Sequence, residues 1–236
     1  MLNTEKNIGE LNRIVETYKK SYSIDYENLK YRWHPLNPIS IYYRQAQERS
    51  LAEIFRSIDF SIRGMKVLDA GCGNGRFLRY LISVGAIPKD LHGIDLVDDR
   101  INEARSLSPR ECIYEVGSIS ELPYPNSNFD MVTQLTVFSS ILDRNMRVDA
   151  SREVCRVLKK NGLILWYDMK DGASVSTRGI ELSELTQLFP DFELIHFMEV
   201  HPTGAAKLIR YPFLLNIAEK FYPKKSHILT LLKKKN

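Results

Sequence analysis

Between Met65 and Arg76 the chain reads Met-Lys-Val-Leu-Asp-Ala-Gly-Cys-Gly-Asn-Gly-Arg, with glycines at the alternate positions 71, 73 and 75. Glycine takes positive φ without steric cost, and lacking a Cβ it lets a ligand lie on bare backbone. Met65–Leu68 reads as a short buried strand. From Arg76 onward Phe77, Leu78, Leu81 and Ile82 share one helical face. A strand, a glycine loop and a helix start make half of a nucleotide-binding unit, because the helix start offers N–H groups and partial positive charge.

Charge decides which ligand suits the loop. A dinucleotide loop reads G-x-G-x-x-G and receives a pyrophosphate. Here the spacing is Gly-x-Gly-x-Gly, and Asp69 stands just before it. A carboxylate there repels phosphate and suits a cation. S-adenosylmethionine carries a sulfonium and an ammonium and no phosphate. The second strand, Leu91–Leu96, ends at Asp95, about twenty residues past the glycines, where Rossmann units place an acid on ribose hydroxyls.

Residues 67–75, VLDAGCGNG, closely resemble the first motif of the class I S-adenosylmethionine-dependent methyltransferases. ELPYPNSNFD at 121–130 is similar to that family's LPFPDxSFD stretch. RVLKKNG at 156–162 is similar to RVLKPGG, with Lys160-Asn161 in place of Pro-Gly. The resemblance spans about Met65 to Tyr167. It implies an α/β, Rossmann-like sheet of seven strands, order 3-2-1-4-5-7-6, the last antiparallel, with helices on both faces. It also implies an N-terminal helical cap over 1–63, and a methyltransferase domain over 64–236 with an insertion at about 201–225. The implied cofactor is S-adenosylmethionine. Its implied contacts are Asp69, Gly71, Cys72, Gly73 and Gly75 at the loop, and Asp95 and Leu96 after the second strand. Ser118 and Ile119 follow the third strand, where the family usually reads Gly-Asp-Ala, and Gln134 ends the fourth. Arg32 or Arg44 is implied for the donor carboxylate, since arginine forms forked bonds with carboxylates.

The elements that must position these residues follow from periodicity and punctuation. Ile8, Leu11, Ile14, Val15 and Tyr18 recur at helical spacing. An aromatic and basic stretch around Tyr26, Tyr31, Trp33 and His34 is broken at Pro35 and Pro38, and a helix over 41–58 leads to the first strand. Further helices are expected at 99–107, with Asp98 as its cap, at 144–158, with Asp143 or a neighbour as its cap, and at 181–189. Strands are expected at 112–117, 129–135, 163–168, 192–200 and 227–232. The apolar face of 201–222 is expected to pack on the core. Covering the acceptor pocket, pairing with another chain and touching a membrane surface are the alternatives.

Methyl transfer from a sulfonium is an in-line displacement in which positioning does most of the work. A base is optional, and a hydroxyl acceptor needs one most. The candidate bases are His34, Asp143, Asp168 and His201, each with a structural role as its competing reading. No residue spacing suggests a metal. The acceptor expected is a small molecule or a saccharide, with a lean toward O-methylation. A non-catalytic adenosine-ligand-binding regulator of the same fold and a nicotinamide-dependent dehydrogenase are the alternatives. Nucleic acid is not expected: net charge is only +4, and the fourth strand ends Gln134-Leu135-Thr136-Val137 rather than in an Asn/Asp-Pro-Pro-aromatic signature. Three cysteines without metal spacing suggest reduced thiols. Together with a polar Met1–Lys20 and no apolar run long enough to span a bilayer, they lead to the expectation of a cytoplasmic protein.

Overall fold

A computed structural model describes residues 2–22, 34–58, 60–170, 172, 174–202, 212–221 and 224–235. Tyr26, Tyr31, Arg32 and Trp33 lie outside the described residues. Two helices, α1 (Leu2–Tyr22) and α2 (Pro38–Ser57), precede a seven-stranded sheet. The sheet elements are β1 (Val67–Ala70), β2 (Leu91–Asp95), β3 (Ile113–Val116), β4 (Phe129–Leu135), β5 (Leu158–Met169), β6 (Phe192–Pro202) and β7 (Lys225–Lys234). The intervening helices are α3 (Arg76–Ser83), α4 (Asp98–Leu107), α5 (Arg144–Val157), α6 (Leu182–Leu188) and α7 (Pro212–Phe221). The order is β3-β2-β1-β4-β5-β7-β6. The first five strands pair parallel with one another, and β7 runs antiparallel between β5 and β6.

Alternation along the strands sorts side chains to two cores. Val67, Met131, Leu165, Leu229 and Leu231 face Leu51 and Ile54 of α2, Leu78 and Leu81 of α3, and Ile101 of α4. Leu68, Val132, Ile164, Trp166 and Ile228 face Ile14 of α1, Met146, Ala150 and Val154 of α5, and Leu185 of α6. Every residue of β1 is buried, as a central strand covered on both faces requires.

Several boundaries differ from expectation, each for a local reason. β1 begins two residues later than Met65, because Met65 closes a turn onto Ile62 O and Lys66 N donates to Asp130 Oδ2. Asp130 also holds Lys159 Nζ at 2.8 Å, so its work is structural. Asp98 is the first residue of α4 rather than its cap; Val97 is the cap, and Asp98 pairs with Lys19 of α1. Asp143 caps α5 by accepting from Met146 N. Lys159–Gly162 lies within β5, across an irregularity between its pairings with Phe129 and Met131, with Asn161 at φ +60°. β6 and β7 reach further than expected, so the connection between them narrows.

Candidate active site

The glycine loop is folded under β2: Gly71 N and Cys72 N both donate to Ile94 O, at 2.8 and 3.0 Å. Gly71, Gly73 and Gly75 all have positive φ, a region that penalises any Cβ. Their surroundings differ. A Cβ at Gly71 would overlap the side chain of Val137, and one at Gly75 would overlap Tyr114 Oη. A Cβ at Gly73 would meet nothing nearer than Arg100 Nη2 at 4.0 Å. Gly73 therefore presents backbone to open cleft.

Two carboxylates flank this backbone. Asp95 Oδ2 accepts from Gly73 N at 2.8 Å and Oδ1 from Val97 N at 2.9 Å. Each oxygen keeps a lone pair, so the carboxylate still has capacity for two hydroxyl donors. Burial raises the Asp95 pKa, against the lowering effect of those N–H groups. Asp69 is buried within β1 and accepts from Thr133 Oγ1 at 2.7 Å. Burial pushes it up to about 7, against Thr133 and the nearby Arg76 charge, which lower it.

The cleft above the loop has a volume of about 580 Å³. Asp69, Gly71, Cys72, Gly73, Asp95, Leu96 and Ile119 line it. Gly75, Ser118 and Gln134 do not. Gly75 starts α3 against Tyr114. Ser118 Oγ turns inward to Ser120, pairing with its Oγ at 2.7 Å and accepting from its N at 3.1 Å. Gln134 Oε1 accepts from Val137 N and holds the loop after β4, while its Nε2 is buried without a partner. At position 118 the family acid is replaced by a turn-forming serine, and Gly117 and Ile119 reach the cleft instead.

None of the four candidate bases lines the cleft. His34 Nδ1 accepts from Leu36 N in the turn before α2. Asp143 caps α5. Asp168 is fully buried: Oδ2 accepts from Ser139 N and Oδ1 from Met169 N, and burial pushes it up to about 6. His201, at φ +62°, lies behind the wall, its Nε2 2.7 Å from Tyr167 Oη. Burial drops its pKa to about 3, so it is neutral near pH 7.

What does line the far end is Tyr43 and Arg44 of α2, Thr136 after β4, Tyr167 and Met169 of β5, and His227 of β7. His227 was missed in the sequence, where its only signal was a histidine opening an otherwise apolar strand. Its ring stacks on Tyr167 with centroids 5.2 Å apart and planes 12° apart. Its Nδ1 lies 2.8 Å from Ser226 Oγ, and Ser226 Oγ donates to His201 O. A hydroxyl has one hydrogen, so Ser226 Oγ accepts from His227 Nδ1–H.

α1 roofs the cleft. Arg13 Nη2 donates to Ser140 O, Tyr18 Oη pairs with Ser140 Oγ, and Glu10 Oε1 accepts from Leu142 N. Glu10 and Arg13 are themselves paired, so the helix is held to the β4–α5 connection by a small network.

These residues fit S-adenosylmethionine: open backbone at Gly73, unused lone pairs on Asp95, apolar Leu96 and Ile119 for a purine, and negative charge beside the loop. Comparisons with known proteins agree. Residues 68–166 match the model of a methyltransferase domain. The fatty-acid O-methyltransferase of Mycolicibacterium smegmatis is 32% identical over 146 residues, covering 58% of this chain and 51% of that protein. The sarcosine/dimethylglycine N-methyltransferase of Aphanothece halophytica is 30% identical over 127 residues, covering 52% and 44%. This chain thus spans about half the length of the curated relatives it matches. An S-adenosylmethionine-dependent methyltransferase from Mesorhizobium loti shares the fold with a TM-score of 0.61 at 17% identity, over 77% of this chain and 96% of that one. The methyltransferase-domain match over residues 68–166, the class I strand order and the lining of the cleft together support S-adenosylmethionine as the cofactor.

Proposed function

We propose that this chain is a methyltransferase acting on a small-molecule or saccharide acceptor, with an oxygen as the methylated atom. The observation that carries the reading is one cleft joining two unlike ends. Gly73 backbone, Asp69 and Asp95 form one end; Tyr43, Tyr167 and His227 form the other. S-adenosylmethionine supplies an electrophilic methyl group on sulfur. Asp95 accepts from the ribose hydroxyls, Leu96 and Ile119 hold the purine, and Arg44 takes the donor carboxylate. Arg32, its alternative for that role, lies outside the described residues. α1 and α2, the cap of residues 1–63, exclude water and hold the acceptor in line, which is where most of the rate gain lies for such a displacement.

The preference for oxygen rests on His227. His227 lines the acceptor end with Nδ1–H anchored on Ser226 Oγ, which places an imidazole beside the atom of a hydroxyl acceptor that must lose a proton. His34, Asp143, Asp168 and His201 keep positioning roles in this reading, His201 by holding the Tyr167 hydroxyl. The three cysteines are free thiols, which supports a reducing, cytoplasmic location.

The test is calorimetric titration with S-adenosylmethionine and with nicotinamide dinucleotides, followed by assay of S-adenosylhomocysteine formation against panels of hydroxylated, carboxylated and amino small molecules. Donor binding with turnover on a hydroxyl or carboxyl compound is expected. Binding without turnover on any panel would instead support a ligand-binding regulator. Preference for the dinucleotide would overturn the reading.

A further inference from the structure

The connection between β6 and β7 carries a helix whose outer face has no partner among the described residues. α7 touches the body through Leu215, which packs with Tyr42 and Ala46 of α2. Phe213, Ile217 and Phe221 recur at four-residue spacing with Leu214 beside them, all exposed, Phe213 to 75% and Phe221 to 69%. On a helical wheel these four fall on one stripe, flanked by Lys220 and turned away from Leu215. Four large exposed apolar side chains on one short helix mark a contact surface rather than scattered surface residues.

Charge selects the occupant. Residues 203–225 contain Lys207, Arg210, Lys220, Lys224 and Lys225 against the single acid Glu219. That is a net charge of +4, the whole net charge of the chain, so the remainder is balanced. Two copies of so basic a segment repel each other, whereas an anionic surface attracts it. An apolar helix face with phenylalanine and leucine, beside lysine and arginine, is the pattern of a helix lying in a membrane interface. Among the described residues no helix is long and apolar enough to cross a bilayer.

We propose that α7 docks this protein on the surface of an anionic phospholipid bilayer, with Phe213, Leu214, Ile217 and Phe221 entering the headgroup boundary. The helix stands one side-chain layer from the cleft, because Tyr43, which lines the acceptor end, packs on the same cluster as Leu215. Docking there brings the acceptor compartment to the lipid surface. The docking itself stands on α7 and the basic sequence around it; that the acceptor is then an amphiphile taken from the bilayer rests on the methyl-transfer reading.

Cosedimentation of the full chain with phosphatidylcholine vesicles, and with vesicles that also contain phosphatidylglycerol, tests it. Binding to the anionic vesicles only, relieved by high salt, is expected. Phe213→Ser with Phe221→Ser should weaken that binding at least about tenfold, since two buried phenyl groups are lost. Calorimetric affinity for S-adenosylmethionine should be unchanged in this variant, which separates loss of docking from loss of the donor site. No sedimentation with anionic vesicles, or sedimentation unaffected by the double substitution, overturns the proposal. A wild-type dimer in solution that the double substitution converts to monomer also overturns it, because the face would then belong to a second copy.

Discussion

Asp95 Oδ2 and the backbone N–H of Gly73 lie 2.8 Å apart, so the carboxylate that ends β2 also sets the loop that ends β1. In the proposed reading the ribose acid and the backbone platform are therefore one unit. Asp95→Ala is expected to weaken S-adenosylmethionine binding by more than about tenfold, losing both hydroxyl acceptance and the tether on Gly73. Calorimetry measures this directly, and a near-wild-type dissociation constant removes the ribose assignment.

The loop glycines separate binding from folding. A side chain at Gly73 enters open cleft, so Gly73→Val should abolish donor binding. Stability should fall only by the roughly 1–2 kcal/mol that left-handed backbone costs a residue with a Cβ. Gly71→Val drives into Val137 and should lower the melting temperature as well. If Gly73→Val binds donor normally, the backbone is not the platform.

Asp69 makes the unliganded protein sensitive to pH. Its folded pKa of about 7 exceeds its ordinary value of 3.8 because of burial. Its contribution to stability is therefore fully present below about pH 4 and is lost as pH rises through about 7. Asp69→Asn should flatten that part of the melting-temperature profile between about pH 4 and pH 7. A cationic ligand favours the ionised form, so donor binding near neutral pH should release protons. Calorimetry in buffers of different ionisation heat reads that release, and its absence would contradict a charge role for Asp69.

His227→Gln should leave donor affinity intact and lower turnover on an oxygen acceptor by about a hundredfold or more. The pH–rate profile should also lose its ascending limb. Unchanged turnover would return His227 to a purely packing role against Tyr167.

Arg147 tests the frame behind the site. It is fully buried, with Nε donating to Ile141 O at 2.6 Å and Nη1 to Glu184 Oε1 at 2.7 Å. Arg147→Ala removes one partner of a half-buried pair and should cost about 3–5 kcal/mol in urea unfolding. Arg147→Met, which refills the volume, should cost less.

The loop and strand end that the proposal assigns to the donor were legible in the chain because their determinants are local. Positive φ at Gly71, Gly73 and Gly75 demands glycine, the span from the loop to Asp95 is set by one helix and one strand, and the Pro/Asn turn before Phe129 marks where β4, Phe129–Leu135, begins. Two of the expected donor contacts were not legible: Ser118 and Gln134 sit at the expected strand ends, yet neighbouring backbone N–H groups claim their side chains. The acceptor half was not legible either. Which histidine reaches the cleft depends on an antiparallel pairing: β7 lies between β5 and β6, and its register puts His227 opposite Met169 and Val200. The residues around His227 do not by themselves encode that register. It follows from which faces of three strands, distant in sequence, bury Leu229 and Leu231 on one side and Ile228 on the other, and only the assembled sheet decides it.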